Sequence, residues 1–124
     1  MESTFDITIG DEPKSIKMTF GLLNVLCKAV GDIDGAATIV MDNALRDAVL
    51  TELLSERNKD GKITKPINLV YLELDPDDAA DLLSWAGEHI MDFFLKGLEK
   101  AKALQDNNLA RIEALMPTSS GSAA

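Results

Sequence analysis

Within "ERNKDGKITKPI", residues 56–67, oxygen-bearing side chains fall at alternate positions: Glu56, Asn58 and Asp60, followed by Gly61 and then Ile63. That is the front half of a calcium loop, where glycine at the sixth place makes the sharp turn and a carboxylate at the twelfth completes the oxygen shell. With Gly61 sixth, the twelfth place falls on Ile67. Pro66 precedes it and cannot stand inside the exiting helix that the motif also needs. The stretch therefore reads as a polar connector between a helix and a strand. A fainter copy, Asp32-Ile33-Asp34-Gly35, fails in the same way at Met41, and Asp34 serves better as a helix cap.

Little else in the chain suggests chemistry. The single histidine, His89, has Glu88 beside it and Asp92 one turn on, but a metal needs a further nitrogen or sulfur ligand at workable spacing. It reads as a surface or half-buried structural residue. Cys27, within "LLNVLCKAV", reads as a small buried hydrophobe. Alone it cannot close an internal disulfide, which agrees with a reducing compartment. No glycine-rich phosphate loop, nucleophile elbow or paired-histidine zinc motif is present. The reading assigns no catalytic residue, cofactor or metal, and the protein is expected not to be an enzyme.

Two features point toward binding instead. Asp81, Glu88, Asp92 and Glu99 recur on one helical face, an acidic stripe that gives solubility and would steer a basic partner. Trp85 lies beside that stripe, off the best core face. It either packs under a loop or against the second helix, or it anchors an interface.

The elements that must position these residues follow from periodicity. "TFDITIGDEPKSIKMTF" alternates through Phe5, Ile7 and Ile9, turns at Gly10-Asp11-Glu12-Pro13, and alternates again through Ile16, Met18 and Phe20. That is a β-hairpin with one apolar face. Leu22, Leu23, Leu26 and Val30 then space a helix that stops at Gly31. Asp34 is expected to cap a second helix reaching about Ser55. Its apolar residues do not form one stripe: Ala37, Met41, Ala44 and Ala48 share one side, while Ile39, Leu50, Leu53 and Leu54 spread over the other. A helix apolar nearly all round is buried on more than one side. Ile39, Leu50, Leu53 and Leu54 are accordingly expected to face a partner or another copy of the chain.

"INLVYLEL", residues 67–74, reads as a third strand. From Asp75-Pro76 a long helix begins, with Asp77 and Asp78 at its positive end and Lys96, Lys100 and Lys102 toward the other. Its expected core face holds Ala79, Leu83, Ala86, Ile90, Phe93 and Phe94, continuing to Leu104. Asn107-Asn108 interrupts the pattern, leaving residues 105–124 as a short helix or flexible tail. The whole is an α+β, helix-rich fold: a hairpin and a third strand packed on three main helices in one domain, residues 1–104.

With 124 residues, 46% of them hydrophobic, the chain can bury a core. A net charge of −9 disfavours nucleic acid and anionic membrane alike. "MESTFDIT" lacks the basic start and apolar run of a signal peptide, and no stretch approaches a membrane span. A cytosolic location is expected.

The stretch "FDITIGDEPKSIKMTFGLLNVLCKAVG" resembles the N-terminal pattern of tail assembly chaperones from long-tailed phages and gene transfer agents. In that pattern a strand, a glycine turn and a second strand lead through Thr-x-Gly-(Ala/Leu)-Leu into a helix of leucine pairs. Here those positions are Ile7, Ile9, Gly10, Ile16, Met18, Thr19, Gly21, Leu22, Leu23 and Leu26, with Cys27 standing near where the family usually has Glu. "LELDPDDAADLLSWAGEHIMDFF" is similar to the family's capped helix, so the resemblance spans most of residues 4–104.

The resemblance implies a non-enzymatic protein of the host cytoplasm, absent from the mature virion. Such a protein binds the long, helical, aggregation-prone tape measure protein; that this chain forms a homo-oligomer is expected separately, from the apolar excess of the second helix. The resemblance also implies a C-terminally extended form, made by ribosomal frameshifting, that recruits tail tube protein. The competing class is a small acidic cytosolic adaptor or chaperone for a single folded partner.

Overall fold

The alternation of Phe5, Ile7 and Ile9 against Ile16 becomes a two-stranded antiparallel hairpin in the computed structural model, which describes residues 1–115. Strand β1 (Thr4–Ile9) pairs with β2 (Glu12–Lys17) from Thr4 opposite Lys17 to Ile9 opposite Glu12. Gly10 makes the turn at φ 60°, a conformation that costs glycine nothing. Its N–H donates to the Glu73 carbonyl at 2.8 Å, tying the turn to the segment before the last helix. Ile7 and Ile16 are buried, while Asp6, Thr8 and Lys17 on the other face are exposed.

Helix α1 (Phe20–Val30) starts where the Thr19 hydroxyl accepts the Leu22 N–H at 3.2 Å. It stops where the Gly31 N–H returns to the Cys27 carbonyl.

The single helix expected from Asp34 to Ser55 is instead two. Helix α2 (Ile33–Thr38) is capped by Asp32, whose carboxylate accepts the Gly35 N–H at 2.8 Å, so Asp34 sits inside the first turn. Helix α3 (Asn43–Leu54) restarts at Asp42, which accepts the Leu45 N–H at 3.1 Å. Between them the N–H groups of Met41 and Asp42 both close on the Thr38 carbonyl, and the Thr38 hydroxyl bonds back to Asp34. An aspartate able to take a backbone N–H three residues on begins a helix wherever the chain lets it, and here two do. The break also resolves the apolar excess. Ile39, Val49, Leu50, Leu53 and Leu54 all enter one core once the helix is bent between them.

Gly35 sets the other junction, between α1 and α2. A Cβ there would stand 2.3 Å from the Val30 carbonyl oxygen, so α2 approaches the end of α1 at a distance only glycine permits.

The connector at 56–67 is not a plain loop. Strands β3 (Glu56–Arg57) and β4 (Ile63–Lys65) pair antiparallel, with a register shift between Glu56 and Arg57. The strand expected over 67–74 does not form. Asn68 accepts the Val70 N–H at 3.1 Å and starts a 3-10 turn over Leu69–Tyr71. A short polar side chain that bonds the backbone two residues on diverts the chain from an extended ladder. Val70 and Tyr71 are correspondingly exposed, not buried in a sheet. The segment touches its neighbours by single bonds, from Ile67 N–H to the Ser55 hydroxyl and from Gly10 N–H to Glu73.

Helix α4 spans Pro76–Leu115. Asp75 caps it through the Asp77 N–H at 3.0 Å, and Pro76 occupies the first position. It runs on through Asn107-Asn108 without interruption, so the expected break there is absent. Two weak helix formers in succession are not enough to stop a helix that continues with good formers on either side. The chain divides into two compact units, Met1–Asp92 and the residues from Phe93 onward. Residues 116–124, the end of the expected tail, lie outside the described residues.

Gly35→Ala should lower stability by about 1–3 kcal/mol, the usual range for forcing a group into a filled site. Gly97→Ala, where an added Cβ meets nothing within 4 Å, should leave the midpoint unchanged or raise it. Urea denaturation of both variants checks the pair. Equal midpoints would mean the α1–α2 junction yields freely.

Candidate interaction surface

Trp85 decides between its two readings at once. It is 7% exposed, and its indole N–H donates to the Glu2 carbonyl at 2.8 Å. Its ring lies 5.5 Å from that of Phe5, tilted by 42°, and meets His89 edge-on at 5.1 Å. It packs beneath the N-terminal strand and offers no exposed anchor. His89 Nε2 stands 2.7 Å from the same Glu2 oxygen. A carbonyl only accepts, so that nitrogen carries the proton. His89 is half-buried and bonded to backbone, a structural placement.

Ile39, Leu50, Leu53 and Leu54, expected to face a partner, are between 2% and 7% exposed. They belong to the core of the first unit and offer no surface. The inward face of α4 is also wider than expected: Leu82 and Trp85 join Leu83, Ala86 and Ile90. Of the acidic residues, Asp81 and Glu88 are exposed and Asp92 is half-buried in the first unit, while Glu99 is exposed in the second.

The calcium-like residues form a hairpin turn. The Asn58 side-chain oxygen accepts the N–H groups of Asp60 and Lys62, at 2.9 and 3.0 Å, and the Gly61 carbonyl accepts from Arg57. The Asn58 oxygen, one of the three side-chain positions a cation would need, is already closing the turn. No group of three or more His, Cys, Asp or Glu that could hold a metal occurs among the described residues. Cys27 is half-buried, and burial pushes its thiol above the ordinary range, away from the reactive thiolate.

A cleft of about 470 Å³ opens between β2, the start of α1 and the end of α3, with Lys14, Leu22, Leu53 and Arg57 on its walls. Lys14 and Arg57 are engaged in building the fold. Lys14 Nζ donates to the Leu54 carbonyl at 2.8 Å, where it satisfies an end carbonyl of α3, and burial lowers its pKa despite the nearby Glu56. The Arg57 guanidinium bonds the Glu52 carboxylate and the Glu52 and Gly61 carbonyls. The cleft marks a junction between elements, and the Lys14 and Arg57 donors on its walls are used within the fold.

The surface that sequence reasoning missed lies in the second unit. Leu95, Leu98, Leu104, Leu109, Ile112 and Leu115 of α4 are 48–82% exposed. At about 100° per residue they occupy one half of the helix circumference, together with Ala101, while Lys96, Glu99, Lys100, Asp106 and Arg111 occupy the other. The signal was present as three- and four-residue spacing through Leu98, Ala101, Gln105, Asn108, Ile112 and Leu115. Reading Asn107-Asn108 as a break concealed it. No helix among the described residues is long and apolar enough to cross a membrane.

Comparison of the chain with protein-family models, with curated proteins and with solved structures finds no match.

Two measurements follow from this geometry. Trp85→Phe should cost about 1 kcal/mol through the lost hydrogen bond, and Trp85→Ala about 3–5 kcal/mol, both read by urea denaturation; a neutral alanine variant would remove Trp85 from the core. Calorimetric titration with Ca²⁺ should be flat below millimolar concentrations. A saturable micromolar heat lost in Asp60→Ala would show that the turn opens to take the ion.

Proposed function

We propose that this protein is a non-enzymatic chaperone of phage tail assembly that binds a tape measure protein and keeps it soluble. One observation carries the reading: six exposed apolar side chains of α4, Leu95, Leu98, Leu104, Leu109, Ile112 and Leu115, fall in one half of the helix circumference. An amphipathic helix of this kind gains by lying against another apolar helix face, burying side chains worth about 1.5–3 kcal/mol each when fully covered. The partner implied by the family resemblance is long, helical and aggregation-prone, which is the chemistry such a face fits.

The reading also rests on the pattern that carries the resemblance. Gly10 makes the hairpin turn, Thr19 caps α1, and Leu26 is buried in that helix. The exposed acids Asp81, Glu88 and Glu99, with the net charge of −9, would steer basic segments of the partner and keep the loaded complex in solution. Many copies along one extended chain would add their weak affinities. Residence in the host cytoplasm, absence from the mature virion and recruitment of tail tube protein through an extended form belong to the same proposal.

Co-expression tests it. The tape measure protein alone should be insoluble, and this protein should bring it into solution as a co-purifying complex. Leu109→Glu, an exposed substitution, should abolish that effect while leaving the chaperone folded. Unchanged solubility, or equal rescue by an unrelated acidic protein, would overturn the proposal in favour of an adaptor for one folded partner.

A further inference from the structure

The exposed stripe of α4 has a pattern that matches itself. Leu98, Ala101, Gln105, Asn108, Ile112 and Leu115 alternate three- and four-residue steps, the spacing of the inward positions of a two-helix coiled coil. The two central positions are polar and those on either side are apolar. If a second copy of the helix is laid alongside in the opposite direction, Leu98 falls opposite Leu115, Ala101 opposite Ile112, and Gln105 opposite Asn108. Every apolar position then meets an apolar one. The two carboxamides, each with a donor and an acceptor, meet each other twice about the symmetry axis.

Charge selects the direction. Residues 93–104 carry Lys96, Lys100 and Lys102 against Glu99, a net positive segment. Residues 105–115 carry Arg111 against Asp106 and Glu113, a net negative one. A parallel pair would align the lysine-rich halves, whereas an antiparallel pair sets each against the acidic half of its neighbour. Lys102 and Glu113 border the stripe on the same side, at about 80° and 100° around the helix from Phe94, so the antiparallel register brings them together across the pair.

The geometry points to a second copy of this chain as the occupant of that stripe, paired antiparallel through residues 98–115. The free protein is then a dimer whose contact lies wholly in the second unit, and the core residues Leu50 and Leu53 take no part in it. A polar pair at the centre of the seam fixes register at some cost in strength, as buried asparagines do in coiled coils. The pairing covers the stripe until a longer helical partner displaces it. It needs no tape measure protein, so it can fail while the chaperone proposal stands, and the reverse also holds.

Sedimentation velocity on the full chain from micromolar to near-millimolar concentration should show a dimer, and Leu98→Glu should shift the mass to that of the monomer. Because Leu98 is 57% exposed, the circular dichroism of the variant should retain its helix signal, separating lost pairing from lost folding. In a Cys27→Ser background, chains carrying Ala101→Cys mixed with chains carrying Ile112→Cys should cross-link to each other under mild oxidation. A monomer throughout the range, a dimer indifferent to Leu98→Glu, or bridges only between identical variants would each overturn the inference.

Discussion

The carbonyl oxygen of Glu2 receives two donors from one turn of α4, the indole of Trp85 and the ring nitrogen of His89. Through that oxygen the first residues of the chain are fastened to its last helix, and the fold of the first unit follows from the fastening. A two-stranded hairpin has little stability of its own in water. Held at Glu2, stacked from Phe5 onto Trp85 and tied again from Gly10 to Glu73, it becomes a lid whose inward Ile7 and Ile16 are buried. The same bonds set the rotation of α4. They turn Trp85 and Leu82 inward beside Leu83, Ala86 and Ile90, leaving Asp81 and Glu88 outside.

What was legible in the sequence was what local physics controls. The hairpin could be read because its alternation, its glycine turn and its buried face all agree. The starts of α1 and α4 could be read because Thr19 and Asp75 cap them by bonds to residues two or three positions on. What could not be read depended on distant partners or on competition between equivalent local signals. Asp32, Asp34 and Asp42 are each competent caps. The structure uses Asp32 and Asp42, and the close approach of Gly35 to the Val30 carbonyl is a contact that no single-helix pattern contains. Residues 67–74 have strand composition, but Asn68 captures the Val70 N–H and no strand among the described residues pairs with this segment. The pairing of Glu56 with Lys65 is too short to leave a periodic trace.

The candidate surface shows the same division. Helical spacing placed an apolar surplus on the second helix, where the structure shows core, and did not find the exposed apolar residues of α4. Ile39, Leu50, Leu53 and Leu54 look unburiable on a straight rod and become core once the rod is broken at Thr38. The surplus that remains exposed is on α4, beyond two asparagines that look like an ending. Those asparagines lower helix propensity by a few tenths of a kcal/mol each, too little to halt propagation through flanking Leu, Ala, Gln and Arg.

Trp85 is the chain's one tryptophan, and it is enclosed by Phe5 and His89 at the point where the hairpin meets α4. Its fluorescence is therefore a reporter already installed at that junction, blue-shifted while the N-terminal strand is seated and moving to longer wavelength when water reaches the indole. Residues 93–115 contain no tryptophan or tyrosine, so that part of α4 is silent in the same spectrum. An emission-detected melt consequently follows the opening of the first unit, while association or capture along the apolar stripe passes without optical trace unless it loosens Glu2 from α4.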